Sequence, residues 1–236
     1  MKQIFALIGL VVFIISCGGS KTQGQQSDSA QKRINSAIEV LDSITVIPDK
    51  TIPQDILKNA YGIAVIPNVI KGAFIVSGQF GKGVMSVRTP DSSWSYPSFI
   101  SLGGGGIGWQ WGGESIDLVL IFKNEKSIQS VYSGTLTLGT DASVAAGPVG
   151  RHASASTNDQ FNAEIYSYSK SEGIFLGVSL SGSSLHIDNN TNDAFYASPN
   201  LTAQQIFQNG VTSAPFSAAA FKNKVESITS DKSDKH

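Results

Sequence analysis

Between Gly62 and about Asp188, apolar side chains recur at every second position and glycine interrupts them repeatedly. Ile116, Leu118, Leu120 and Phe122 alternate with Asp117, Val119 and Ile121. Ile174, Leu176, Val178 and Leu180 alternate with Phe175, Gly177, Ser179 and Ser181, and Leu136 and Leu138 with Thr135 and Thr137. A period of two turns one strand face toward a core. Glycines at 78, 81, 83, 103–106, 108, 112, 113, 134, 139, 147 and 150 punctuate the run. Glycine inside strands marks bulges, sharp bends or close backbone approach. That density predicts a strongly curved, barrel-like antiparallel sheet rather than a flat one.

Helical spacing appears on both sides of the sheet, so the expected class is α+β with N- and C-terminal helices. Ile34, Ala37, Ile38 and Leu41 predict an amphipathic helix from Ala30 to near Ser43. A second begins after Pro53 and includes Ile56, Leu57 and Ala60, since proline suits a first turn. Asn124 to Val131 reads as a short connecting helix, and Leu201 to Phe207 and Pro215 to Ile228 return to helical spacing. No composition shift marks an internal boundary, so residues 30–228 are expected to form one domain, followed by a frayed tail at 229–236. At 41% hydrophobic, the chain can bury a sizeable core. A net charge of −1 offers no basic face for nucleic acid. One cysteine excludes an intramolecular disulfide and a Cys-rich zinc site.

The start of the chain reads as a targeting signal. Lys2 precedes an uncharged run from Ile4 to Ile15, too short for the roughly 20 residues of a spanning helix. Residues 1–16 therefore read as a signal peptide. Ile14-Ile15-Ser16-Cys17 resembles a bacterial lipobox, which implies diacylation of the Cys17 thiol, cleavage before it and acylation of the new amino group. Two or more acyl chains hold a protein stably at a bilayer, at about 0.8 kcal/mol per buried methylene. The expected location is the bacterial envelope, at the outer membrane facing the periplasm. Residues 17–29 are the lipidated N-terminus and a flexible tether, with no apolar residue between Gly18 and Ser29.

Several short motifs carry no chemistry in their context. Gly103 to Gly108 fits G-x-G-x-x-G, but a dinucleotide site needs that pattern to open a helix, whereas Trp109-Gln110-Trp111 follows. Gly177-Val178-Ser179-Leu180-Ser181 narrowly misses a nucleophile elbow, and the alternation predicts a strand running through Ser179. His186 and Asp188 could share a strand face, but two ligands do not make a metal site and solvated turn residues fit better. Asn189-Asn190-Thr191 and Asn200-Leu201-Thr202 match the glycosylation triplet, a modification out of place behind a bacterial lipobox. The expectation is a non-enzyme without metal or cofactor.

Five segments, spread over roughly Ile34 to Phe221, resemble the SYLF domain, a lipid-binding family. They are Ala60-Tyr61-Gly62-Ile63-Ala64-Val65-Ile66-Pro67 with Lys71-Gly72-Ala73-Phe74; Gly81-Lys82-Gly83-Val84 with Trp94 and Pro97-Ser98-Phe99-Ile100; and Gly105-Ile107-Gly108-Trp109-Gln110 before Asp117 to Leu120. The others are Ala145-Ala146-Gly147-Pro148-Val149-Gly150-Arg151, and Ile165 to Leu180 closed by Asn192-Asp193-Ala194-Phe195-Tyr196. Ala73 departs from the family, whose members often keep glycine there. The resemblance implies binding of acidic phospholipids or phosphoinositides, with another envelope protein as the alternative partner. Lys71 and Arg151 are the expected head-group ligands, at strand ends in family motifs, with Lys82 and Lys170 as weaker candidates. Arginine holds two phosphate oxygens with its planar fork, whereas lysine offers a point charge. The competing role for Lys71 and Arg151 is an ion pair with Glu114, Asp117, Asp141 or Glu172 that holds the barrel closed.

Overall fold

The computed structural model describes residues 23–44, 51–72, 78–105, 115–150, 163–171, 174–178 and 180–230. Helix α1 (Gln23–Ser43) buries Ala30, Ile34, Ala37 and Leu41 completely. It starts seven residues before Ala30, so residues 23–29, expected as tether, are helical. Once the buried half is formed, each further residue adds a hydrogen bond at little cost, and no proline or β-branched residue opposes it. Helix α2 (Gln54–Lys58) opens after Pro53, as expected.

Nine strands among the described residues form one sheet. They are β1 (Gly62–Gly72), β2 (Gly78–Val87), β3 (Ser98–Gly105), β4 (Ser115–Phe122), β5 (Thr135–Thr137), β6 (Val144–Ala146), β7 (Ile165–Ser171), β8 (Ile174–Gly177) and β9 (Ser183–Ile187). Their order is β5-β9-β3-β2-β1-β4-β7-β6, with β8 on β7; all pairs are antiparallel except β6 with β7. Laid flat, the outer strands of that path would stand about 33 Å apart at ~4.8 Å per strand. Residues 138–143 join β5 directly to β6, a reach of roughly 20 Å. The sheet must therefore curl, and the expected curved α+β architecture is the one observed.

Curling produces two cores. Ala64, Ile66, Met85, Val87, Leu118, Leu120 and Phe122 point inward, where α3 (Glu125–Tyr132) and α5 (Ala203–Phe207) add Ile128, Val131 and Phe207. Ile63, Val65, Val84, Phe99, Val119, Ile121 and Tyr166 point outward and pack with α1, α4 (Asn189–Tyr196) and α6 (Phe216–Thr229). Both faces of β4 are thus buried from Leu118 onward, where the alternation predicted one. Full burial of each large apolar side chain stabilises by roughly 1.5–3 kcal/mol. Gly83 is required by the curvature: a Cβ there would lie 2.2 Å from the Val65 carbonyl oxygen.

Helix ends are capped from the sequence. The Asn124 side chain accepts from Ser127 N, and Thr202 and Gln205 form a capping box on α5. At the far end of α6, Trp94 Nε1 donates to Thr229 Oγ1 at 3.0 Å, fastening the helix to the sheet.

Three expectations are corrected. The strand predicted through Leu180 stops at Gly177, and its facing is reversed: Phe175 is buried and Leu176 is 54% exposed. Gly177 lies against residue 147, where a Cβ would meet the Gly147 oxygen at 2.4 Å, and Val178 N turns to Ser167 O. Ser179 lies outside the described residues. Asp188 is no solvated turn residue, because its side chain accepts from Thr191 N as the N-cap of α4 and from the Arg33 guanidinium. Finally, α6 runs to Thr229, into the expected tail, whose residues 231–236 lie outside the description.

Tyr168, wholly buried in the outer core, has a hydroxyl with no hydrogen-bond partner among the described residues. Burial, with a smaller contribution from Tyr166, pushes its ionisation above the ordinary phenol range. Removing an unsatisfied hydroxyl relieves a desolvation penalty. Tyr168→Phe is expected to be neutral or stabilising by about 1 kcal/mol in urea unfolding. A loss of stability would mean that the hydroxyl is satisfied.

Candidate functional site

The outer sheet face divides in two. Helices cover the part around Val65, Val84, Phe99 and Val119, while the part toward Gly72, Gly78, Gly105 and Ser115 lies beyond them. On this part, beyond the described helices, Phe80 is 68% exposed and Lys82 is exposed, both on the same face of β2. Their cross-strand neighbours on β3 are Gly103 and Ser101, which are small. Beyond them on β9 stand Ser184 and His186. His186 is exposed, its Nδ1 2.9 Å from Thr135 Oγ1. Among the described residues no cluster of three His, Cys, Asp or Glu could hold a metal.

Lys82 also fronts the irregularity of β1. The register shifts between Val65 and Ile70, with Asn68 left-handed at φ 52°. Its amide donates to Asp117 Oδ1 at 3.0 Å, and Asp117 faces Lys170 across β4 and β7 with Nζ···Oδ2 at 3.8 Å. Lys82 and Lys170 therefore lie in one band across the sheet, about three strand spacings or 14 Å apart at the backbone. Their states differ. Lys82 is exposed, whereas Lys170 is mostly covered, 20% accessible, and engaged by Asp117. Lys71 stands opposite Gln79 near the end of β1, farther along the same hairpin. Arg151 and Cys17 lie outside the described residues, as do Trp109 and Trp111.

The glycine motif at 103–105 is part of β3 and opens no helix there. A dinucleotide pyrophosphate would find no helix N-terminus at those residues.

A protein-family model, Ysc84, described as "Las17-binding protein actin regulator", matches residues 103–228. The chain belongs to the SYLF, or Ysc84, family. The SYLF match runs from β3 into α6, so Arg151 and Lys170 fall within it and Lys71 and Lys82 precede it. Among SYLF relatives, SH3 domain-containing YSC84-like protein 1 of Xenopus laevis is 38% identical over 176 residues, covering 72% of this chain and 52% of that protein. LAS seventeen-binding protein 3 of Saccharomyces cerevisiae is 39% identical over 170 residues, covering 71% and 37%. The human YSC84-like protein is 40% identical over 150 residues, covering 63% and 44%. The chain thus spans about half or less of the length of these curated relatives. Among solved structures, a beta-barrel-like uncharacterized protein from Brucella abortus aligns at 16% identity and a TM-score of 0.25, over 73% of this chain and 87% of that one.

Phe80 escaped the sequence reading of this SYLF chain. It stands between Gly78 and Gly81, where the period-two pattern is too broken by glycine to assign a face. Asn189, Asn190 and Asn200 stand out in the sequence only as parts of glycosylation triplets, yet they line a cleft.

Proposed function

We propose that this SYLF chain is a non-enzymatic, lipid-anchored protein of the bacterial envelope that docks on acidic phospholipid or phosphoinositide head groups. The observation that carries the reading is the outer sheet face beyond the described helices, where an exposed aromatic ring and an exposed lysine stand side by side on β2. An aromatic ring suits the boundary between head groups and acyl chains. A lysine near an anionic surface contributes about 1 kcal/mol. The family resemblance and the lipobox at Cys17 point the same way, toward a protein held at a membrane outside the cytosol. Lys82 is the leading head-group ligand by exposure, and Lys170 is secondary because Asp117 already engages it. Lys71 and Arg151 remain in the proposal on their motif positions.

Flotation of the acyl-free protein with vesicles tests it. Acidic vesicles should carry the protein and phosphatidylcholine vesicles should not, with binding weakened as salt shortens the screening length. Lys82→Ala is expected to weaken acidic-vesicle binding about fivefold, and Phe80→Ala about tenfold, with the melting temperature unchanged because both side chains are exposed. Equal flotation with both vesicle types would refute the electrostatic reading.

The alternative partner is another envelope protein. The name of the yeast relative, LAS seventeen-binding protein 3, supports protein docking as a use of this family's surface. Co-purification of one envelope protein that is lost in Phe80→Ala, without vesicle binding, would favour it.

A further inference from the structure

At the β5–β9 side of the sheet, past His186, a cleft of about 480 Å³ opens between the end of α3, the end of β9 and the start of α4. This lies within the ~300–1,000 Å³ usual for small-molecule sites. Its walls are fixed by main-chain and side-chain hydrogen bonds. Ile187 N donates to Gly134 O at 3.1 Å, and Asp193 accepts from the amides of Asn200 and Leu201 at 3.1 and 2.9 Å. Each carboxylate oxygen of Asp193 thereby accepts a bond, and among the described residues no lysine or arginine lines the cleft. An anion would find no cation here, and a metal ion only one carboxylate.

What the cleft offers is neutral. Asn189 and Asn190 are exposed at its rim, and their side-chain amides make no hydrogen bond among the described residues. Tyr132 forms one wall, its ring backed by Phe207 at 5.8 Å between centroids. Burial, and the nearby Glu125 charge, raise its ionisation, so the hydroxyl stays protonated and can donate. Ile187 supplies a small apolar patch alongside, with Leu201 and Ala203 largely buried behind it.

We propose that this cleft binds an N-acetylated amino sugar, free or as a unit of a glycan. The ring's apolar face would lie on Tyr132, as sugars commonly use aromatic walls. An acetamido group carries one donor and one acceptor, which a carboxamide side chain matches at once. Its methyl has the apolar patch to rest on. A plain hexose presents hydroxyls only and leaves that patch unfilled. Phe80 and Lys82 do not line the cleft, so the proposal does not rest on lipid binding.

The test uses the full chain in a detergent without a sugar head group, titrated by calorimetry with N-acetylglucosamine, its β-1,4-linked trimer and cellotriose. The expected result is binding of the acetylated trimer about tenfold tighter than cellotriose, and loss of about fivefold or more in Asn190→Ala and Asn189→Ala. Both residues are exposed, so the melting temperature should not move. Equal affinity of monomer and trimer would assign a free sugar, and a trimer preference a glycan chain. Absence of binding, equal binding of cellotriose, or binding indifferent to both substitutions would overturn the proposal.

Discussion

Replacing Asp188 with alanine is expected to lower stability by about 3–5 kcal/mol, because it strands the Arg33 guanidinium under helix α1. The two side chains are 10% and 17% accessible, with Arg33 Nη1 and Asp188 Oδ2 3.2 Å apart. Arg33 also stands over the Phe99 ring at 5.2 Å, against the outer core. The same substitution removes the N-cap of α4, which accounts for about 1 kcal/mol of the total. For a domain of this size the melting temperature should fall by roughly 10 °C. Burial alone would push the Asp188 carboxyl up. The Thr191 hydrogen bond and the Arg33 charge outweigh it and hold the carboxyl below its ordinary value. A carboxyl depressed on folding stabilises above its ordinary value, near 4, and that contribution disappears as pH falls through the folded value. The gap between wild type and Asp188→Ala should therefore be full at neutral pH and begin to narrow as pH falls below about 4, toward the depressed folded value. Urea unfolding at several pH values reads both. A loss under 1 kcal/mol at pH 7 would mean that Arg33 finds water or another partner, and the buried-pair account would fall.

Substituting Cys17 by serine is expected to abolish lipid attachment. A single myristoyl-length chain binds a bilayer with an association constant of only about 10⁴ M⁻¹, whereas two or more chains hold indefinitely on the timescale of fractionation. Wild-type protein should enter the detergent phase of an envelope extract, with a mature N-terminal peptide that begins at Cys17 and carries the mass of its acyl groups. The serine variant should lack that mass. A retained leader is recognised by its added sixteen residues, and only the trimmed form should partition into the aqueous phase. Trimmed serine variant that stays in the detergent phase, or a wild-type N-terminus without lipid, would refute the anchor. The lipobox reading stands on sequence, since Cys17 lies outside the described residues.

Local chemistry made much of the fold readable in advance. The Ile34, Ala37 and Leu41 spacing named the buried stripe of α1, all three being fully covered. Pro53 and Asn124 marked the starts of α2 and α3 because a proline ring and an Asn carbonyl act within one turn. Glycine density signalled curvature, and Gly83 shows why: the neighbouring backbone occupies the space of a Cβ. The lysines at 82 and 170 could be named, but their difference could not. It depends on Asp117, 53 residues from Lys170 in the chain and placed opposite it by the pairing of β4 with β7.

Facing and partnership were decided by tertiary structure. Strand β4 has an alternating pattern that predicts one buried face, yet the curled sheet has a core inside and helices outside, so both faces are covered. In β8 the apolar alternation pointed to Leu176 as core, but contact with Gly147 and the turn at Val178 bury Phe175 instead. Asp188 looked like a turn residue because its partner, Arg33, is 155 positions away. Sequence by itself determined which residues prefer helix, strand or turn, since those preferences act over a few bonds. Which face meets water, which charges meet each other and where Phe80 is left bare were settled only when distant segments packed, because burial and pairing are properties of neighbours in space.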